Sequence, residues 1–330
     1  MFDFLKKKLN LMHGQTPIVK LERLSKELGH SLYVKRDDLT GMALSGNKIR
    51  KLEYHFYQAK QQDANCVVTC GGIQSNHARA TAVLARQFGW RPVLILGGSE
   101  PKDACQGNLL LDKLLDAEIR WTDDNSLFRY SDDLLEEAAE DLRAKGYRPY
   151  VIPMGGTDTT GLSGYISAGL EIREQEKKMH VAFDAVFCAV GTGGTLGGLI
   201  LCKELIDWRI RIYGVNVMLD ADYFHDRIDL LIRAYKDEHT LTAAHHAKDI
   251  QMIDGFVGTG YAKSTPEVAE LIKRVAVAEG VFLDPVYTAK AFQGMLRQID
   301  DGMFSPESNI LFLHTGGMFG LFAQADGLFL

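Results

Sequence analysis

The stretch "CVVTCGGIQSNHARATAVLARQFGWRPVLIL", residues 66 to 96, decides the fold. "CVVTC" is a short apolar, β-branched run that reads as a buried strand. "NHARATAVLARQFG" repeats apolar residues at helical spacing and stops at Gly89, and "PVLIL" is a second strand. Strand, helix and strand in this order make a βαβ unit, the building block of a parallel sheet with helices on its faces.

Outward from this unit the alternation continues. "ACQGNLLLDKLLDA" (104 to 117) reads as helix, "EIRW" (118 to 121) as strand, "SLFRYSDDLLEEAAEDLRAKG" (126 to 146) as a long helix and "YVIPM" (150 to 154) as strand. The glycine and threonine stretch "GGTDTTGLSG" (155 to 164) reads as a crossing into a second series. There "YISAGLEIREQEKKM" (165 to 179) is helical, "FDAVFCAV" (183 to 190) a strand and "GTLGGLILCKELI" (194 to 206) a helix. "RIYGVNVM" (211 to 218) and "NILFLH" (309 to 314) are further strands. The pattern predicts an α/β fold of two domains, each a mostly parallel twisted sheet flanked by helices. "RAYKDEHTLTAAHHAKD" (233 to 249) has no readable period, and its His245 and His246 are expected in solvent rather than in a ligand set.

Composition narrows the class. The chain has 330 residues, enough for two ordinary domains or one large one, with 46% apolar and 24% charged residues. A net charge of −6 and a pI near 5.9 disfavour nucleic-acid binding by bulk electrostatics. Five cysteines without ligand-like spacing read as buried free thiols in a reducing compartment. "MFDFLKKKLNLMHG" carries lysines where a secretory signal is apolar, and no run reaches the length of a membrane span, so a cytoplasmic protein is expected. No metal site, nucleic-acid partner or membrane partner is expected.

Ligands of parallel sheets bind beyond the C-terminal strand ends, which points to the loops after Cys70, Val190 and His314. "AVGTGGTLGGL" (189 to 199) follows a strand and opens a helix. Gly191, Gly193 and Gly194 let backbone amides approach an anion, and Thr192 and Thr195 add hydroxyls, which together describe a phosphate cradle. It is not the dinucleotide fingerprint, because Leu196 stands where the third glycine belongs. A tight turn that needs glycine for packing is the plainer alternative.

"CGGIQSNHARA" (70 to 80) ends in Ser75, Asn76 and His77, which could receive a carboxylate at a helix start; a simple helix cap is the alternative. His77 reads as a structural hydrogen bonder. "FLHTGGMFG" (312 to 320) repeats the design with Thr315. Tyr261 in "GTGYAKST" and Tyr287 in "LDPVYTAKA" suit proton chemistry, with plain packing as the alternative.

One further stretch breaks a rule. In "LSGNKIRKLEY" (44 to 54) a helix starting near Asn47 puts Lys48, Arg50 and Lys51 in its first turn, where the dipole disfavours cations. Lys48 and Lys51, three apart, share a helix face, so one could hold an aldehyde carbon while the other reaches a phosphate. With the cradle, this suggests pyridoxal phosphate, whose aldehyde condenses with a lysine amine. The bland alternative leaves all three cations in solvent, and Arg50 has no role beyond solvent exposure or pairing with a neighbour such as Glu53.

"YVKRDDLTG" (33 to 41), "SGNKIRKLE" (45 to 53), "GGIQSNHAR" (71 to 79) and "VGTGGTLGG" (190 to 198) resemble the pyridoxal phosphate enzymes of the D-cysteine desulfhydrase and 1-aminocyclopropane-1-carboxylate deaminase family. The resemblance runs from about Thr16 to the last helix and implies the tryptophan synthase β-like fold, PLP fold type II. It implies that Lys48 condenses with the cofactor, Lys51 and Gly191 to Thr195 hold its phosphate, and Asn76 meets its ring hydroxyl. Ser75, Asn76 and His77 then receive the substrate carboxylate, and Tyr261 and Tyr287 are the active-site tyrosines. The resemblance also implies a homodimer, with a small inserted domain of residues 48–160 and a large one of residues 1–47 plus 161–330.

Members that open the cyclopropane ring have a glutamate after the second tyrosine and a leucine before the last Gly-Gly; Thr288 and Thr315 stand there. A hydroxyl near the pyridine nitrogen makes the ring a weaker electron sink than a carboxylate does, which suits loss of a good leaving group. The expected reaction is α,β-elimination on a small β-substituted amino acid, D-cysteine foremost. The rivals are ring-opening deamination, elimination from cysteate or a D-serine derivative, a relative without turnover and, last, a nucleotide-binding module.

Overall fold

In the computed structural model, which describes residues 2–102, 105–258, 260 and 262–328, two sheets share the chain. It opens with β1 (Ile18–Lys20), α1 (Glu22–Leu28), β2 (Ser31–Arg36) and α2 (Lys48–Gln61). The stretch that decides the fold follows as β3 (Cys66–Gly72), α3 (Asn76–Gln87) and β4 (Arg91–Gly97). Next come α4 (Gly107–Leu114), β5 (Glu118–Thr122), α5 (Asp124–Ala144) and β6 (Pro149–Val151). The second series is α6 (Thr159–Met179), β7 (Ala185–Val190), α7 (Gly194–Leu205), β8 (Arg211–Asn216), α8 (Ala221–Glu238) and β9 (Gln251–Ile253). It closes with α9 (Pro266–Glu279), α10 (Thr288–Asp300), β10 (Asn309–His314) and α11 (Met318–Ala323).

The smaller sheet, in the order β5-β4-β3-β6, is parallel throughout. The larger one, β1-β2-β10-β7-β8-β9, is parallel except for β1 against β2. Continuous apolar strands suit sheets covered on both faces, and the side chains divide with period two. On β7, Val186, Cys188 and Val190 pack in one core with residues of α6, α7 and α8, whereas Ala185, Phe187 and Ala189 pack in another with α9 and α10. On β3, Cys66, Val68 and Cys70 meet α5, while Val67 packs with α2 and α3.

Two expectations change. The 155 to 164 stretch is not wholly a crossing, because α6 begins at Thr159, where the Asp158 carboxylate accepts from the Gly161 amide at 2.8 Å. His245 is not in solvent: its side chain is 3% exposed, with Glu204 at 2.6 Å on Nδ1 and Asp229 at 2.9 Å on Nε2. Its neighbour His246 is exposed. Cys66, Cys70, Cys188 and Cys202 are buried and unpaired, and burial raises the Cys66 thiol to about 11 and that of Cys70 to about 12. Among the described residues no helix is long and apolar enough to cross a membrane.

Candidate active site

Three glycine-rich loops leave the C-terminal ends of β3, β7 and β10 and meet at one cavity. Ser75, Asn76 and His77 reach it from the first loop, Gly191, Thr192, Gly193 and Thr195 from the second, and Thr315 from the third. Lys48 and Tyr287, at the starts of α2 and α10, also line it.

The second loop is shaped for an anion. Gly193 takes φ +89°, which turns the chain into α7, so the first amides of that helix lack intrahelical partners and face outward. A Cβ on Gly194 would lie 2.6 Å from Lys51 Nζ and 2.9 Å from Thr157 Oγ1, so any side chain there would have to push both aside. Lys51 is buried behind the loop rather than on the cavity wall, donating to the Gly155 carbonyl at 3.1 Å and Thr157 Oγ1 at 2.9 Å. Thr157 Oγ1 meets Thr192 Oγ1 at 2.6 Å. Burial and the nearby Lys48 charge hold the Lys51 amine well below its usual range, which an anion at α7 would reverse.

Lys48 differs from its neighbour. Its Nζ has no hydrogen-bond partner among the described residues, and burial lowers it to about 8, so a sizeable share is neutral amine near physiological pH. Gly155 beside it takes φ +66°, and a Cβ there would stand 2.7 Å from Thr192 Oγ1, so the turn next to the amine calls for glycine.

The first loop serves two purposes at once. Ser75 caps α3 by accepting from the Ala78 amide at 3.1 Å, so the simple cap is real, yet the same residue lines the cavity. Asn76 Oδ1 accepts from Asn108 Nδ2 at 3.1 Å. His77 Nε2 lies 2.9 Å from Thr69 Oγ1, which already donates to the Ile152 carbonyl, so the ring is the donor. Burial and the charges of Lys48, Lys51 and His55 push its pKa well down, leaving a neutral, structural imidazole.

Thr288 does not reach the cavity. Its hydroxyl donates to Asp284 Oδ1 at 2.7 Å and accepts from the Asp284 amide at 2.6 Å, so it serves the start of α10. Of the two threonines, Thr315 is the one on the cavity wall. Tyr261 lies outside the described residues.

Other participants escaped sequence reasoning. Asn47 lines the cavity and donates from Nδ2 to Thr195 Oγ1 at 3.1 Å. Thr157 stood in the stretch read as a crossing, where its threonine-glycine setting was the available signal. Phe128, Met154 and Met218 add an apolar wall that no motif marks. Arg50 is buried, not in solvent, and pairs with Asp37 and Glu171; Glu53 is taken by Lys8 at 2.6 Å.

These residues fit a phosphate-bearing aldehyde: an anion cradle at α7 backed by Lys51, and a second, unpartnered amine in the same cavity. The family model for pyridoxal-phosphate dependent enzymes matches residues 9–316. A Thermotoga maritima protein provisionally described as a 1-aminocyclopropane-1-carboxylate deaminase is 43% identical over 97% of this chain and 99% of its own. The mitochondrial bifunctional D-cysteine desulfhydrase/1-aminocyclopropane-1-carboxylate deaminase of Arabidopsis thaliana is 38% identical over 96% of this chain and 80% of its own. The crystal structure of an ACC deaminase homologue superposes with a TM-score of 0.88 at 37% identity, covering 99% of this chain and 98% of that one.

Proposed function

The chain belongs to the family of pyridoxal-phosphate dependent enzymes, and from that premise we propose that it catalyses α,β-elimination on a small β-substituted amino acid. D-Cysteine is the substrate we favour, which with one water gives pyruvate, hydrogen sulfide and ammonia. Bound pyridoxal phosphate supplies an aldehyde that captures an amine and a conjugated ring that accepts the electron pair left by a departing α-proton.

The residues divide the work. The α7 amides, Thr192, Thr195 and Lys51 hold the phosphate, and Asn76 donates to the ring oxygen. The Ser75 hydroxyl and the start of α3 receive the substrate carboxylate. Lys48 takes the α-proton at Nζ, a role suited to an amine held near pH 8. Tyr287 protonates the leaving sulfur, and the apolar wall of Phe128, Met154 and Met218 excludes water. The observation that carries this reading is the division of labour between Lys48 and Lys51, one amine open to the cavity and the other committed behind the α7 cradle.

Ring opening is the second reading, supported by the names of the Thermotoga and Arabidopsis relatives. The hydroxyl of Thr315 on the cavity wall, where ring-opening members carry leucine, favours elimination. The test is a panel of D- and L-amino acids with β-leaving groups assayed for pyruvate, beside the cyclopropane substrate assayed for 2-oxobutanoate. Pyruvate from D-cysteine is the expected result; 2-oxobutanoate alone would replace the first reading with the second. A homodimer, a cytoplasmic setting and a division at residues 48–160 belong to the same proposal, and light scattering tests the first of these.

A further inference from the structure

Arg79 stands in the first turn of α3, where a cation opposes the helix dipole, and its side chain is fully buried. Burying a guanidinium is costly unless its donors are met. Its Nε donates to Asn108 Oδ1 at 3.1 Å, its Nη2 to the Ser45 carbonyl at 3.0 Å and its Nη1 to the Ala43 carbonyl. The Phe319 ring lies 5.0 Å from its central carbon. Asp112 acts on it through charge, but neither carboxylate oxygen has a hydrogen-bond partner among the described residues.

A guanidinium can only donate, and that decides the orientation of two amides in succession. Asn108 must turn Oδ1 toward Arg79, which leaves its Nδ2 to donate to the Gln74 carbonyl at 3.0 Å and to Asn76 Oδ1 at 3.1 Å. With its oxygen used, Asn76 has its own Nδ2 hydrogens left for the cavity it lines. On the other side, Ala43 and Ser45 belong to the loop that leads into α2. That loop is held again where the Asn47 amide donates to the Thr315 carbonyl at 3.0 Å, one residue before Lys48.

We propose that Arg79 is a positioning residue of the site, setting Asn76 as a hydrogen-bond donor to the cofactor's ring oxygen through Asn108 and fixing the approach to Lys48 through the Ala43 and Ser45 carbonyls. The proposal rests on the functional reading above. An inverted Asn76 amide would face the ring oxygen with lone pairs, so the relay decides between attraction and repulsion at one atom.

Asn108→Asp is nearly isosteric, still accepts from Arg79 and cannot donate to Asn76. The measurements are the dissociation constant for pyridoxal phosphate by dialysis, the visible absorption maximum of the loaded protein, and the melting temperature of the unloaded chain. Asn108→Asp also gives up the bond to the Gln74 carbonyl, so its melting temperature should fall; it should bind about tenfold more weakly and, once saturated with the cofactor, show a shifted maximum, which a loss of stability alone would not produce. Arg79→Lys, which keeps the charge and loses the fork, should move the same readouts in the same direction. Variants whose saturated absorption maximum matches the wild type overturn the proposal, and so does weaker binding without that shift. Wild-type protein that takes up no pyridoxal phosphate overturns the functional reading and this inference with it.

Discussion

Arg50 grips Asp37 through two hydrogen bonds, Nε to Oδ2 and Nη2 to Oδ1, each 2.8 Å, with both side chains buried. The cation that breaks the dipole rule at the start of α2 is thus a structural anchor. Glu171 of α6 meets the same guanidinium, Nη1 to Oε2 at 3.0 Å, and Lys35 completes the cluster. Removing one member of a buried pair leaves the other uncompensated, so Arg50→Met should cost about 3–5 kcal/mol in denaturant unfolding.

Acid should act through the same pair. The Arg50 charge and hydrogen bonds outweigh burial and hold Asp37 at about 2, below its ordinary 3.8. The stabilisation is therefore complete above about pH 4 and lost as pH falls through about 2, because the unfolded chain binds the proton first. Asp37→Asn should be less stable than wild type at pH 7, with the gap narrowing toward pH 2; a gap that stays constant contradicts this assignment.

Lys48 gives a slope of the same sign at the alkaline end, but its charge destabilises the fold where that of Asp37 stabilises it. Burial lowers its pKa to about 8 from 10.5, so charging it in the folded chain costs stability below pH 8 and costs less as pH rises toward 10.5. Unloaded Lys48→Met should melt higher than unloaded wild type at pH 7. The difference should shrink between pH 8 and 10.5 in a series of thermal scans.

Gly194→Ala tests the anion cradle. The added methyl would stand 2.6 Å from Lys51 Nζ and 2.9 Å from Thr157 Oγ1, displacing both from the start of α7. Affinity for pyridoxal phosphate, measured by dialysis, should fall by about tenfold or more.

Thr288→Glu should not convert the enzyme to ring opening. Its hydroxyl is held by Asp284, which also accepts the Thr288 amide at 2.7 Å, and a glutamate at this fully buried position would break that cap. A lowered melting temperature, by about 1–3 kcal/mol of stability, without 2-oxobutanoate formation is the expected outcome.

How much was legible in the sequence follows from range. The βαβ unit at 66 to 96 is a local pattern set by periodicity and appears where expected, and the glycine and threonine loop at 191 to 195, legible from glycine spacing, follows β7 and borders the cavity. The partners of Arg50 lie 13 and 121 residues away, and no local pattern announces pairs of that separation. β1 and β9 hold three residues each, too few for a period to emerge. The motif position of Thr288 suggests the cofactor, but its side chain answers to Asp284 four residues earlier. His245 stands in a charged stretch without a readable period, which suggests exposure, while its partners Glu204 and Asp229 come from α7 and α8.

The role proposed for Lys48 is that its open amine carries the chemistry. Wild-type protein and Lys48→Ala, each mixed with pyridoxal phosphate, should be compared by visible absorbance and by pyruvate release from D-cysteine. That role requires a visible band that changes on adding D-cysteine and steady pyruvate formation in the wild type, with both lost in Lys48→Ala. A Lys48→Ala protein that keeps the band and the turnover would contradict it.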